Sequence, residues 1–164
     1  MDVTPAAVHR ERNRLRENAD RHVGRINNIR DRLGPLFSTT ADHVTVETFR
    51  TEVDTVFENG DRGANITGLI GLLRTVDVTE DYPGFIVDEI LGRELAASIA
   101  GGQPRRLLAE ATFHFADVHD ESPTAHAGSD DLEVAIAAGF QTRLPGWDWE
   151  DSSSPFAVDP TGQG

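Results

Sequence analysis

The chain has 164 residues, 28 of them Asp or Glu against 15 Lys or Arg, for a formal charge of −13. That length suits one domain and lets the fold bury roughly 70% of its unfolded surface without help from disulfides or metal. The absence of cysteine excludes disulfide frameworks, thiolate zinc sites, iron–sulfur clusters and cysteine nucleophiles.

All 15 basic residues are Arg, and they are unevenly placed: residues 1–34 carry a net +3 and residues 35–164 a net −16. Asymmetry of this size predicts that the two ends of the chain face different partners. No run of about 18 apolar residues could span a bilayer, and no basic start leads into an apolar stretch as in a secretion signal. We therefore expect a soluble intracellular product with no membrane contact.

Residues 1–35 predict one long basic helix. Thr4 reads as its N-cap, Pro5 as its first helical residue, and Gly34-Pro35 as its stop. Between them Val8, Arg12, Leu15, Ala19, His22, Ile26, Ile29 and Leu33 recur in alternating steps of four and three. That is the period of a coiled-coil or bundle seam. About thirty helical residues reach about 45 Å, interrupted only mildly at Gly24, so the helix is expected to project. Val8, Leu15, Ala19, Ile26, Ile29 and Leu33 form its partner-binding seam, packed on this chain's own core or on a copy. Arg10, Arg14, Arg16, Arg21, Arg25, Arg30 and Arg32 lie off the seam. They form either a solvated surface with local pairs to Glu11 and Glu17 or a basic face for nucleic acid or an acidic protein.

Residues 36–139 predict a helical core. Val46, Phe49, Val53, Val56 and Phe57 share a helix face that ends at Asn59-Gly60, and Gly60-Asp61-Arg62-Gly63 reads as a turn. Ile66, Leu69, Ile70, Leu73 and Val76 mark the next helix, with Gly68 and Gly71 spaced for close helix approach. Phe85, Ile86, Ile90, Leu91, Leu95 and Ile99 mark another, closed by Gly101-Gly102. Pro104 then opens a helix bearing Leu107, Leu108, Ala111, Phe115 and Val118. Ser129 and the acidic turn Asp130, Asp131 and Glu133 start a short helix with Leu132, Ile136 and Phe140. The nearest strand candidate, His43–Val46, is very short. The fold class is mainly α: a long N-terminal helix, a bundle of four or five shorter helices and an extended C-terminal arm.

That arm, residues 140–164, is rich in Pro, Gly and Ser and denies regular structure. It nevertheless holds Trp147, Trp149 and Phe156, whereas disordered tails are poor in aromatics. These three read as anchors that dock on the chain's own core or on a neighbour.

The chemical constellations are weak. His114, His119 and His126 lie among Asp117, Asp120 and Glu121, but His114 and His119 are about 140° apart around a helix. Glu110 and His114 could share a face, yet the paired Glu-x-x-His signature of di-iron bundles is missing. No Gly-x-Ser-x-Gly elbow occurs, and no P-loop can exist without lysine. We expect no cofactor, no metal site and no enzymatic activity.

The Lys-free acidic composition resembles that of proteins from halophilic archaea and their viruses, where carboxylates stay hydrated in molar salt and repulsion is screened within ~3 Å. The helical core with a long terminal arm is similar to the head–tail connector (adaptor) proteins of tailed viruses. That resemblance implies a virion subunit in a ring beneath the portal, with Arg-rich residues 10–32 facing portal or DNA. It also implies that Trp147, Trp149 and Phe156 fill pockets on an adjoining subunit. Copies of the chain and other assembly proteins would be its partners. The alternative is a cytoplasmic nucleic-acid-binding regulator using the Arg-rich helix, although no helix-turn-helix is evident.

Overall fold

The protein is described by a computed structural model covering residues 2–36, 40–75, 87–119 and 127–147. Among these residues are seven α-helices: α1 (Pro5–Glu17), α2 (Ala19–Leu36), α3 (Val46–Glu58), α4 (Gly60–Thr75), α5 (Val87–Ala100), α6 (Arg105–His119) and α7 (Ala127–Gln141). The only β pairing among them is an isolated antiparallel bridge between Ala41 and Trp147. The mainly α architecture follows the apolar periodicity closely.

Thr4 caps α1 as its position predicts, its hydroxyl accepting from the Ala7 N–H at 3.1 Å. The long N-terminal helix is however broken at Asn18. The Asn18 N–H (3.1 Å) and Nδ2 (2.9 Å) both donate to the Arg14 carbonyl, closing α1. Its own carbonyl accepts from Arg21 at 3.1 Å and His22 at 3.2 Å, opening α2. Asparagine competes for backbone groups in this way wherever a helix can end. Gly24, by contrast, leaves α2 unbroken, and α2 continues past Gly34-Pro35 to Leu36.

Asn59 closes α3 and opens α4: its side chain accepts from the Arg62 N–H at 3.0 Å and its carbonyl from Gly63 at 2.9 Å. The segment read as a turn, Gly60–Gly63, is thus the first turn of α4. Gly101 ends α5 at φ +90°, the left-handed C-terminal position that favours glycine.

α7 is the hub, packed against α2, α4, α5 and α6. Every residue from Val134 to Thr142 is buried, as expected of a helix surrounded on all sides. Small residues permit this. A Cβ on Gly139 would meet Ile99 Cβ at 2.7 Å and the Ala96 carbonyl at 2.9 Å, so α5 and α7 touch backbone to side chain. Gly68, expected at a helix contact, instead faces the Val3 side chain at 3.6 Å. α1 packs on α3 and α4, and α2 on α3 and α7. One apolar cluster runs from Leu15 through Phe49, Ile70, Leu95 and Phe140 to Trp147. The described parts of the three predicted segments therefore share a single core, and the N-terminal helices do not project.

Candidate functional site

The seam residues are filled by this chain's own helices. Leu15, Ala19, Ile26, Ile29 and Leu33 are buried in the common core, and Val8 is half-buried. The partner assigned to them is intramolecular. Burying each of the larger ones contributes about 1.5–3 kcal/mol, which explains why the basic segment lies down rather than standing away.

The arginines divide sharply. Arg30 is 1% exposed and sits inside the fold. Its Nη1 donates to the carbonyls of Asp42 (2.8 Å) and Pro145 (2.6 Å), and its Nη2 to those of Gln141 and Leu144 (both 2.8 Å). The guanidinium carbon lies 5.3 Å from the centre of the Trp147 ring. Arg30 cannot face DNA or portal: it caps the carbonyls left open at the C-terminus of α7, where a cation is favoured. The signal was present, since Arg30 stands four residues after Ile26 and three before Leu33, within the inward face.

Most of the other basic residues of this segment pair within the chain. Arg16 Nη1 reaches Asp54 Oδ2 at 2.5 Å and the Arg50 carbonyl at 3.2 Å, while Arg50 Nε donates back to the Arg16 carbonyl at 3.1 Å. Arg12 lies 3.3 Å from Asp54, and Arg21 3.0 Å from Glu133. Glu11, buried on the inner side of α1, accepts from Arg14 at 3.4 Å and from both terminal nitrogens of Arg74. Arg25 and Arg32 also have interaction partners. Arg10 is exposed. The charge asymmetry along the chain is therefore answered inside the molecule, and these pairs join α1 and α2 to α3, α4 and α7.

Trp147 likewise docks at home. It is buried, with Nε1 donating to Gln141 Oε1 at 3.0 Å. Gly146, at φ +109°, turns the chain so that its carbonyl accepts from the Asp42 N–H at 2.9 Å. The pocket assigned to a neighbouring subunit is supplied by this chain, because Arg30 and the end of α7 are already there. Trp149 and Phe156 lie outside the described residues.

His22 is a strongly perturbed titratable group in the core. Burial, then the neighbouring charges of Arg21 and Arg25, lower its pKa from the ordinary 6.5 to about 4. It stacks at 5.6 Å on Phe49, and Nδ1 stands 3.7 Å from Glu133 Oε2. His22 is thus neutral near pH 7, a core histidine beneath an ion pair rather than a base facing substrate. His114 is exposed, and His126 lies outside the described residues. No group of three or more His, Asp or Glu among the described residues could hold a metal ion.

An open apolar groove lies at the other end of α1. Val3, Val8, Phe57 and Ala64 line a groove of about 380 Å³, rimmed by His9 and Arg12. Val3 remains 43% exposed. The groove opens where the N-termini of α1 and α4 lie beside the C-terminal turn of α3. A second depression, lined by Arg16, Glu47, Arg50, Thr51 and Asp54, lies along the same pair of helices, α1 and α3. Gly63 fixes the floor, since a Cβ there would meet Phe57 Cδ1 and Val8 Cγ1 at 3.3 Å. Sequence reading missed this site because its residues come from three helices and share no spacing.

Among the described residues, fold and site define a mainly α protein with an apolar core, a buried arginine at one end and an open apolar groove at the other. A family model described as "Domain of unknown function (DUF7984)" matches residues 1–160, and the chain belongs to that family. No curated protein and no solved structure matches it.

Proposed function

We propose that this chain is a non-enzymatic interaction protein that serves as a subunit of a larger assembly. The observation that carries this reading is the groove between α1, α3 and α4. It has an apolar floor of Val8, Phe57 and Ala64 and polar edges at His9 and Arg12. A concave apolar site with a few polar groups at its rim is the form that receives a partner's anchoring side chains. Its partners are other assembly proteins or further copies of the chain.

In its finer form the proposal is a virion head–tail connector from a halophilic setting. The acidic, Lys-free composition and the helical core support that form; the projecting basic helix, which also suggested it, is folded onto the core. DNA contact loses support for the same reason, since Arg14, Arg16, Arg21 and Arg30 are engaged within the chain.

Light scattering on protein purified from its native source in molar salt tests the reading. We expect a mass well above the 17.9 kDa of one chain. Ala64→Glu, which places a charge on the groove floor, should return the mass to that of one chain without lowering the unfolding midpoint. A monomeric mass for the unaltered protein would defeat the proposal.

A further inference from the structure

Away from the groove, the break between α1 and α2 borders a second cavity, of about 40 Å³, walled also by α4 and α7. We propose that this cavity is a binding site for one small monovalent anion of chloride size, which accepts from His22 Nδ1–H and is held by the arginines lining the opening. His22 lines the cavity and is only 3% exposed. Its Nδ1 has no hydrogen-bond partner in the chain among the described residues. A buried ring nitrogen without a partner is costly, and a ligand that answers it is favoured to the same extent.

Charge sets the sign of that ligand. Arg14, Arg21 and Arg74 line the cavity with partly exposed side chains, and Glu11 and Glu133 line it too, so the site carries a net charge of +1. In a chain of net −13 that is a local reversal. Both carboxylates are already engaged. Glu11 accepts from Arg14 and Arg74, and Glu133 Oε1 lies 3.0 Å from Arg21. α2 begins at Ala19, next to Asn18 in the cavity wall, so the positive end of that helix adds to the attraction. Asp20, in the same first turn, does not line the cavity. Burial, then Arg21 and Arg25, lower the His22 pKa to about 4. The ring is therefore neutral near pH 7 and offers one N–H. Leu15, Ile70, Leu132 and Ile136 complete the wall with apolar surface, which strengthens each polar contact made inside.

Size narrows the choice. One water needs about 10–15 Å³ of such space, so 40 Å³ holds a chloride-sized ion with one water beside it. The water has a defined place. Glu133 Oε2 stands 3.7 Å from His22 Nδ1, also without a hydrogen-bond partner among the described residues. A water donating one hydrogen to Oε2 and the other to the anion satisfies both and separates the two negative charges. An anion held in this way joins α1 through Arg14, α2 through Arg21 and His22, and α4 through Arg74, which fixes the angle of the break at Asn18. Stability then depends on the anion itself and not on ionic strength alone.

Urea unfolding of the full chain tests this, with chloride exchanged for methanesulfonate, which is too large for the cavity, at constant ionic strength. Above the dissociation constant, each tenfold rise in chloride should multiply the folding equilibrium constant about tenfold. Arg21→Gln alters an exposed side chain and should weaken chloride at least about tenfold. Arg106→Gln, which removes a surface pair with Glu94 on other helices, should leave the chloride response unchanged. No chloride response in the unaltered chain would overturn the proposal. So would an undiminished response in Arg21→Gln, or an equal loss in both variants.

Nitrogen NMR of the His22 ring at pH 7 gives an independent reading. We expect the proton on Nδ1 and a resonance that moves as chloride is added. A proton on Nε2 would point a lone pair at the anion and overturn the proposal, as would a resonance indifferent to chloride.

Discussion

The two ends of this molecule use the same residue type in opposite ways. At the Trp147 end, a single guanidinium is enclosed and satisfies four carbonyls from two distant stretches of chain. At the groove end, Arg12 and Arg16 lie on the surface, their side chains 41% and 35% exposed, and share one carboxylate, Asp54. An enclosed arginine whose two terminal nitrogens are held by four carbonyls fixes where the chain closes. Exposed arginines in salt contribute little to stability and remain available to a partner. Burial of the guanidinium, rather than its presence in a basic segment, separates structural from interacting arginines here.

The contrast can be broken at its strongest point first. Arg30→Ala leaves four carbonyls without their donor and should lower stability by at least about 3 kcal/mol, read from denaturant midpoints at constant salt. Arg30→Lys should recover only part of this, since an ammonium cannot span the same four acceptors.

The pH response is expected to be comparable. Because the folded pKa of His22, about 4, lies below its ordinary 6.5, the unfolded chain takes up a proton first as pH falls. Its effect is absent above pH 6.5, and stability declines from there to about pH 4, by about 3 kcal/mol in all. Carboxylates titrate over part of the same range, so the measure is the difference between the unaltered chain and His22→Gln. The variant should show a flatter slope between pH 6.5 and 4; parallel slopes would contradict the assignment.

Gly139→Ala tests the close contact of α5 and α7. With Ile99 Cβ 2.7 Å from the added methyl, the helices must separate, at a cost of about 2 kcal/mol. At the groove end, Arg16→Gln should cost no more than about 1 kcal/mol, and less in molar salt. A cost there as large as that of Arg30→Ala would erase the distinction between the two ends.

Much of the fold could be read from the sequence, and the misses have physical causes. The positions of α3, α5 and α6 follow from apolar spacing and from Gly101 and Pro104, whereas α7 begins at Ala127, before the Ser129 read as its cap, and is longer than the short helix expected. The break at Asn18 was hidden because the apolar period continues through it; only the hydrogen-bonding side chain of Asn18 hints at the stop. Gly60 to Gly63 carries turn-like residues, but Asn59 supplies a helix cap whose effect depends on geometry. The inward role of Arg30 was masked by its seven basic neighbours in the segment. Trp147 was recognised as an anchor, although its pocket is assembled from Arg30 and Gln141, more than a hundred and only six residues away respectively. The groove left no pattern, because helices distant in sequence supply its walls.

The burial of Trp147 in its own chain tests the account most directly. In a Trp149→Phe variant, Trp147 is the sole indole, and acrylamide quenching of its fluorescence can be followed through serial dilution. The account predicts blue-shifted emission and constant shielding down to the lowest concentration measured. Exposure that grows as the protein is diluted would show that a neighbouring copy supplies the pocket, contrary to the account.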